Sequence, residues 1–231
     1  MRLDRFISKH TPHSHQASRL MIARGLVRVN GKVEQDPRAD IDRFMAVTLG
    51  EVLLQQQTAH YLMLHKPAGY LSATSDPVHP TVMELLPASL RPLLHIGGRL
   101  DRSSSGLLIL TNDGLWSRRL TEPGKKIAKT YRVTTARPIT PETRHRFVEG
   151  IYFTPEHITT SPAQLEQLDD YSARLTIYEG RYHQVKRMFH AVGNHVTALH
   201  RESMGEIRLD DTLELAASRP LTKAEVASVD G

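Results

Sequence analysis

The sequence contains no cysteine, which excludes a disulfide scaffold, a thiolate-bound zinc and a thiol nucleophile, and fits a reducing compartment. Long apolar runs are missing as well. Nothing approaches the roughly 20 residues that span a bilayer, and Met1-Arg2-Leu3-Asp4-Arg5 lacks the apolar centre of a secretory leader. The expectation is a soluble, cytoplasmic protein. There is no tandem repeat and no low-complexity tract, so repeat architectures are set aside. At 231 residues the chain can bury a sizeable core without a metal or disulfide staple.

Acidic residues are scarce at one end. Residues 1–32 hold Arg2, Arg5, Lys9, Arg19, Arg24, Arg28 and Lys32 against Asp4 alone, a local net charge of +6 in a chain whose total is +5. A basic segment that is also amphipathic suits a polyanion-binding face. Charge alone fits a solvated surface equally well.

What is present reads as two domains. Leu3, Phe6 and Ile7 stand at helical spacing. Ser14 is placed to cap a second helix with Ala17, Leu20, Met21 and Ala23 as its apolar stripe, and Gly25 to close it. Arg19 and Arg24 fall outside that stripe, free for phosphates. Leu26-Val27-Arg28-Val29 alternates as a strand, and Asn30-Gly31 suits a tight hairpin turn. Ala46–Leu49 and Val52–Leu54 complete a module over residues 1–57, with Gln55–Thr58 as its linker. His10, His13 and His15 invite a metal reading, but no carboxylate or thiol stands near them in sequence, so they are expected to face RNA or solvent.

Residues 58–231 alternate short strands and helices. Tyr61–Leu64, Gly106–Thr111, Lys129–Thr134 and Leu175–Tyr178 are the strands, with Asn112-Asp113-Gly114 as a turn after the second. Thr81-x-x-Glu84 and Thr222-x-x-Glu225 are capping boxes, and Pro141 opens a further helix. The expected class is α+β, a mixed and mainly antiparallel sheet flanked by helices.

Three stretches carry more polar chemistry than folding demands. In Gly98-Arg99-Leu100-Asp101-Arg102-Ser103-Ser104-Ser105-Gly106-Leu107, a carboxylate lies between two arginines in a Gly- and Ser-rich loop. A turn or cap aspartate would read the same way. In Glu179–Phe189, Tyr182, Val185, Met188 and Phe189 form the apolar face of a helix, and Lys186 at its edge can snorkel outward or reach inward to a carboxylate. Lys129-Thr130-Tyr131 sets a phenol on a strand, which alone is an ordinary half-buried tyrosine.

Taken together these stretches resemble the pseudouridine synthases, in particular the RsuA-type branch. The resemblance rests on Lys66-Pro67-Ala68-Gly69-Tyr70, Gly98–Leu107, Lys129-Thr130-Tyr131, Gly180–Phe189 and Leu199-His200-Arg201. The first quarter of the chain, through Arg19-Leu20-Met21 and Gly25–Lys32, resembles an S4 RNA-binding domain. The resemblance implies Asp101 as the catalytic carboxylate and Tyr131 as the aromatic that holds the base. It also implies Lys186 as the cation paired with the aspartate and Leu199 as an apolar neighbour of the base. RNA contacts are expected from Arg2, Arg5, Arg19, Arg24, Arg28 and Lys32, and from Arg99, Arg181, His183 and Gln184. Arg102-Ser103 stands where relatives often carry acidic residues, a departure expected to touch the loop's outer contacts more than its chemistry.

The implied reaction cleaves the N1–C1′ bond of a uridine, turns the base and rejoins it through C5. It is redox-neutral, so no metal and no small-molecule cofactor is expected. The carboxylate would act as nucleophile at C1′ or C6, or as base at C2′. The expected partner is 16S ribosomal RNA or a small-subunit assembly intermediate, bound by a monomer. The alternatives are a 23S enzyme of the same family and a non-catalytic RNA-binding assembly protein.

Overall fold

The structure, a computed structural model, describes residues 1–229, and the chain divides into two compact units, Met1–Ala59 and one that begins at His60. No helix among the described residues is long and apolar enough to cross a membrane.

In the first unit, helices α1 (Leu3–His10) and α2 (His15–Ala23) precede strands β1 (Val27–Val29), β2 (Lys32–Val33), β3 (Val47–Leu49) and β4 (Val52–Gln55), which form an antiparallel sheet in the order β2-β1-β3-β4. Leu3, Phe6, Ile7, Ile22, Val27, Ile41 and Val47 make its core. Ser14 caps α2 by accepting from the Ala17 amide. Asn30 and Gly31 both take positive φ, 51° and 80°, as a two-residue hairpin turn requires. The α2 stripe differs from expectation: Ser18 and Ile22 are buried, whereas Leu20 is 51% exposed. The helix is short, so packing on α1 decides which residues face inward, and Ser18 is acceptable there because its hydroxyl donates to the Ser14 carbonyl at 2.9 Å.

The second unit comprises β5 (Tyr61–Lys66), β6 (His95–Ile96), β7 (Ser105–Thr111), α3 (Gly114–Thr121), β8 (Lys129–Thr135), α4 (Pro141–Glu149), β9 (Tyr152–Phe153), β10 (Ile158–Thr159), β11 (Gln164–Gln167), β12 (Ser172–Ile177), α5 (Gln184–Ala191), β13 (Val196–Met204), β14 (Ile207–Arg208), β15 (Ser218–Pro220) and α6 (Lys223–Ala227). The main sheet runs β11-β12-β8-β13-β7-β5-β15, with β14 beside β13 and β6 beside β7, while β9 and β10 pair separately. Only β13 and β7 pair in parallel among these strands, so the mixed, mainly antiparallel α+β architecture is observed.

Period-two alternation divides the apolar residues between two faces. Leu62, Leu64, Leu108, Leu110, Val133 and Leu175 join Phe147 and Phe189 in one cluster, and Met63, Leu107 and Ile109 join Trp116 and Leu120 in the other. Both capping boxes form, one opening a short 3-10 turn at Val82–Leu85 and the other opening α6. Asn112-Asp113-Gly114 is more than a turn. Asp113 accepts from the amides of Leu115 and Trp116 and so caps α3, a helix that the turn-like residues concealed.

Candidate active site

Asp101 lies in the loop that feeds β7, the most deeply buried strand, and four sequence-distant groups hold that loop. The Lys66 ammonium donates to the carbonyls of Ser104 (2.7 Å), Pro67 (3.0 Å), Asp101 (3.2 Å) and Arg102 (3.4 Å). The turn after Lys66 clasps the same loop, since the Gly69 amide donates to the Arg102 carbonyl at 2.7 Å. Ser72 Oγ donates to the Leu100 carbonyl and accepts from the Leu100 amide. On the far side, the buried Arg201 guanidinium donates to the carbonyls of Leu107, Arg99 and Gly98. Gly106, opposite Arg201 in the parallel pair, has φ +110°, and a Cβ there would fall on the Arg201 backbone. Only glycine fits.

The loop presents the Asp101 carboxylate, a quarter exposed, to an ammonium and an imidazole. Lys186 Nζ lies 3.0 Å from Oδ2, and His183 Nε2 lies 3.5 Å from Oδ1. Lys186 also donates to Ser103 Oγ at 2.8 Å. One residue of the Arg102-Ser103 departure, Ser103, therefore shares the Lys186 ammonium with Asp101. Lys186 comes from the first turn of α5, and His183, at φ 49°, takes the left-handed conformation that starts the helix. Tyr182 consequently precedes the helix, is 72% exposed and stacks on the His183 ring, and does not belong to the buried face expected of it.

Asp101, Tyr131 and Leu199 line one pocket of about 190 Å³, together with Arg99, Lys129, Arg181, His183, Gln184 and Arg201. That space suits a single small ring. Tyr131 and Leu199 stand on the adjacent strands β8 and β13, each 8% exposed. The Tyr131 hydroxyl has no hydrogen-bond partner among the described residues. Gln184, expected to meet RNA, is buried in the pocket wall. Its amide nitrogen donates to Glu179 at 2.7 Å and its oxygen accepts from the Arg181 amide, so it braces the turn that enters α5.

Buried cations stand in the pocket wall, Lys129 and Arg201, and behind the Asp101 loop, Lys66. Burial pushes the Lys66 ammonium down to about 8, opposed by the Asp101 charge and assisted by Arg201 and Lys186. Burial also lowers Lys129, with Arg201 adding to the effect and Glu179 opposing it. Sequence reading left Lys66, Lys129 and Arg201 without roles, although all three stand inside the family motifs. The signal was a charged residue at a strand position where only an inward-facing side chain keeps the alternation.

The first unit's cations lie differently. Arg5, Arg19, Arg24, Arg28 and Lys32 are exposed. Arg2 is half-buried and pairs at 2.6 Å with Asp4, which is fully buried. Burial alone would raise the Asp4 carboxyl, but Arg2 and then His15 reverse this and hold it below the usual carboxylate range. The histidines are thus nearer to a carboxylate than their sequence spacing suggested: His15 Nε2 is 3.1 Å from Asp4, while His10 stacks on Phe6. Among the described residues, no group of three or more His, Asp or Glu is placed to hold a metal ion.

Known proteins share this sequence over long stretches. A family model described as RNA pseudouridylate synthase matches residues 60–191. Ribosomal small subunit pseudouridine synthase A of Pseudomonas aeruginosa is 50% identical over 230 residues, covering 99% of this chain and 100% of that protein. The Escherichia coli protein of the same name is 44% identical over 230 residues, with 99% and 100% coverage. A solved crystal structure of a pseudouridylate synthase shares 39% identity at a TM-score of 0.73, covering 99% of each chain.

Proposed function

The chain belongs to the RNA pseudouridylate synthase family, and we propose that it isomerises one uridine of 16S ribosomal RNA, with Asp101 starting the reaction. The observation that carries this reading is the Asp101–Lys186 ion pair, its carboxylate lining the same pocket as Tyr131, in a chain similar over its whole length to enzymes named for the small ribosomal subunit. Asp101 attacks C1′ or C6, or removes the C2′ proton, and Lys186 holds its carboxylate in line. Tyr131 lies against the extruded base and Leu199 packs at its edge, as an enzyme that works on a base outside its stack requires. The chemistry exchanges one glycosidic bond for another and has no redox step, so it calls for neither nicotinamide nor a metal.

Residues 1–57 serve as the RNA-anchoring domain and residues 58–231 as the catalytic one, in a monomer working where bacterial ribosomes assemble, the cytoplasm. Arg5, Arg19, Arg24, Arg28 and Lys32 offer an exposed basic surface to phosphates, and Arg99, Arg181 and His183 meet RNA at the pocket mouth. The purified protein is expected to release tritium from C5-labelled uridine in 16S transcripts or small-subunit precursors and to leave 23S transcripts unchanged. Release from 23S RNA alone would move the substrate to the large subunit. Binding of 16S RNA without release from either would make the protein a non-catalytic binder.

A further inference from the structure

We propose that Lys129 is a further catalytic residue, whose ammonium takes up the negative charge that the uracil carries while it is detached from the ribose. This rests on the reading of the protein as a uridine isomerase. Lys129 and Tyr131 are two apart on β8, so alternation sets them on one face, and both line the pocket of Asp101. Lys129 is 8% exposed, a costly position for a charge that makes no direct ion pair among the described residues.

Lys129 and Arg201 line this pocket and Lys66 holds the Asp101 loop, and these three buried cations differ in what they have left to offer. Lys66 is enclosed by four carbonyls. Arg201 directs its guanidinium at three. Lys129 makes a single hydrogen bond, to the Ile127 carbonyl at 2.9 Å, which leaves two of its N–H groups unused among the described residues. The nearest acid in charge terms, Glu179, is already engaged: it accepts from the Ser161 amide, from Gln184 and from Arg181. A pocket lined by a buried ammonium with two unused donors is arranged for an anionic guest.

The reaction supplies that guest. When the N1–C1′ bond breaks, both electrons stay with N1 and spread through the ring onto O2 and O4. Attack at C6 instead of C1′ also loads O4, so the demand for a cation does not depend on the route. The ammonium donates hydrogen bonds to the charged oxygen and keeps its own proton. Bonding of C5 to C1′ uses the ring's extra electron pair and makes it neutral, releasing the Asp101 carboxylate where that had bonded to C1′. The C5 proton then goes to solvent and N1 takes one up, with no net change of charge. An ammonium suits this task because its donors rotate and can follow oxygens that change place as the base turns, which a planar guanidinium fixed to three carbonyls cannot do.

The test compares two bases at the target position of a 16S fragment, uridine and 5-fluorouridine, with the full-length protein under single-turnover conditions, reading disappearance of the N1-linked nucleoside. Fluorine stabilises the uracil anion by itself and lessens the need for the lysine. Lys129→Met is expected to slow uridine by about 10²–10³-fold, the range for losing one charge-stabilising donor, and 5-fluorouridine by clearly less. RNA affinity and melting temperature should stay near wild type, and Lys129→Arg should restore part of the rate. Lys129→Gln provides a second neutral variant should Lys129→Met fold poorly. Equal slowing of both bases, or a wild-type rate in either neutral variant, would overturn the proposal. A wild-type protein that leaves the uridine N1-linked would overturn the parent reading and this inference with it, a result distinct from failure of the variants alone.

Discussion

The two units carry positive charge in opposite ways. In the first, Arg5, Arg24 and Lys32 stand in solvent, where salt screens a charge beyond about 10 Å and each contact adds little. In the second, Lys66 and Arg201 are buried and answered by backbone carbonyls drawn mainly from the Asp101 loop and the strand it enters. Exposed cations suit attraction to a polyanion regardless of its sequence. Buried cations fix the shape of a loop and the potential inside a pocket. The same residue types thus do two kinds of work, and experiments can separate them.

The largest effect should come from the acid that the buried cations serve. Asp101→Asn keeps the size of the side chain and removes its charge, and tritium release should fall by at least about 10³-fold while RNA affinity changes little. Retained turnover would remove Asp101 from the chemistry. Next comes the glycine that lets β7 meet β13. Gly106→Ala adds a Cβ against the Arg201 backbone at φ +110°, and should cost at least ~2 kcal/mol, roughly 4–8 °C in melting temperature for a domain of this size. An unchanged melting temperature would mean the close approach is not required.

The exposed set should respond to salt instead. Replacing Arg5, Arg24 and Lys32 together by Gln should leave the melting temperature nearly unchanged. The salt slope of RNA binding should fall by about 0.7 for each single-strand phosphate that is no longer neutralised. An unchanged slope would relocate the RNA anchor. The smallest effect concerns pH. The folded Lys66 value of about 8 lies below that of an ordinary lysine. Above about pH 8 the unfolded chain therefore holds more protons than the folded one, and this group makes stability rise with pH until the ordinary lysine range is passed. Over the same window its ammonium discharges, its hold on the loop carbonyls weakens, and turnover should fall several-fold. Lys66→Met should flatten both slopes. A variant that keeps the wild-type pH profile would show that another group titrates.

Local features of the fold were legible because each is written in neighbouring residues. Ser14, Asn30-Gly31, Thr81 with Glu84, and Thr222 with Glu225 all do what their types suggest. Helix α3 was hidden because its cap and first residue, Asp113-Gly114, spell a turn, and its buried face is only Trp116, Ser117 and Leu120. Tyr182 was misplaced because a left-handed residue at 183 delays the helix, and nothing in the apolar spacing marks that. Within the site, Asp101 and Lys186 could be paired from motif and helix position. The carbonyl cages of Lys66 and Arg201 could not, since their partners Ser104 and Leu107 lie 38 and 94 residues away.

The most direct measurement of the central claim maps pseudouridine across ribosomal RNA from a strain whose only copy of this protein carries Asp101→Asn, alongside its wild-type parent. Loss of one pseudouridine in 16S RNA, with every 23S position intact, is the predicted result. A 16S pattern identical to that of the parent would contradict it.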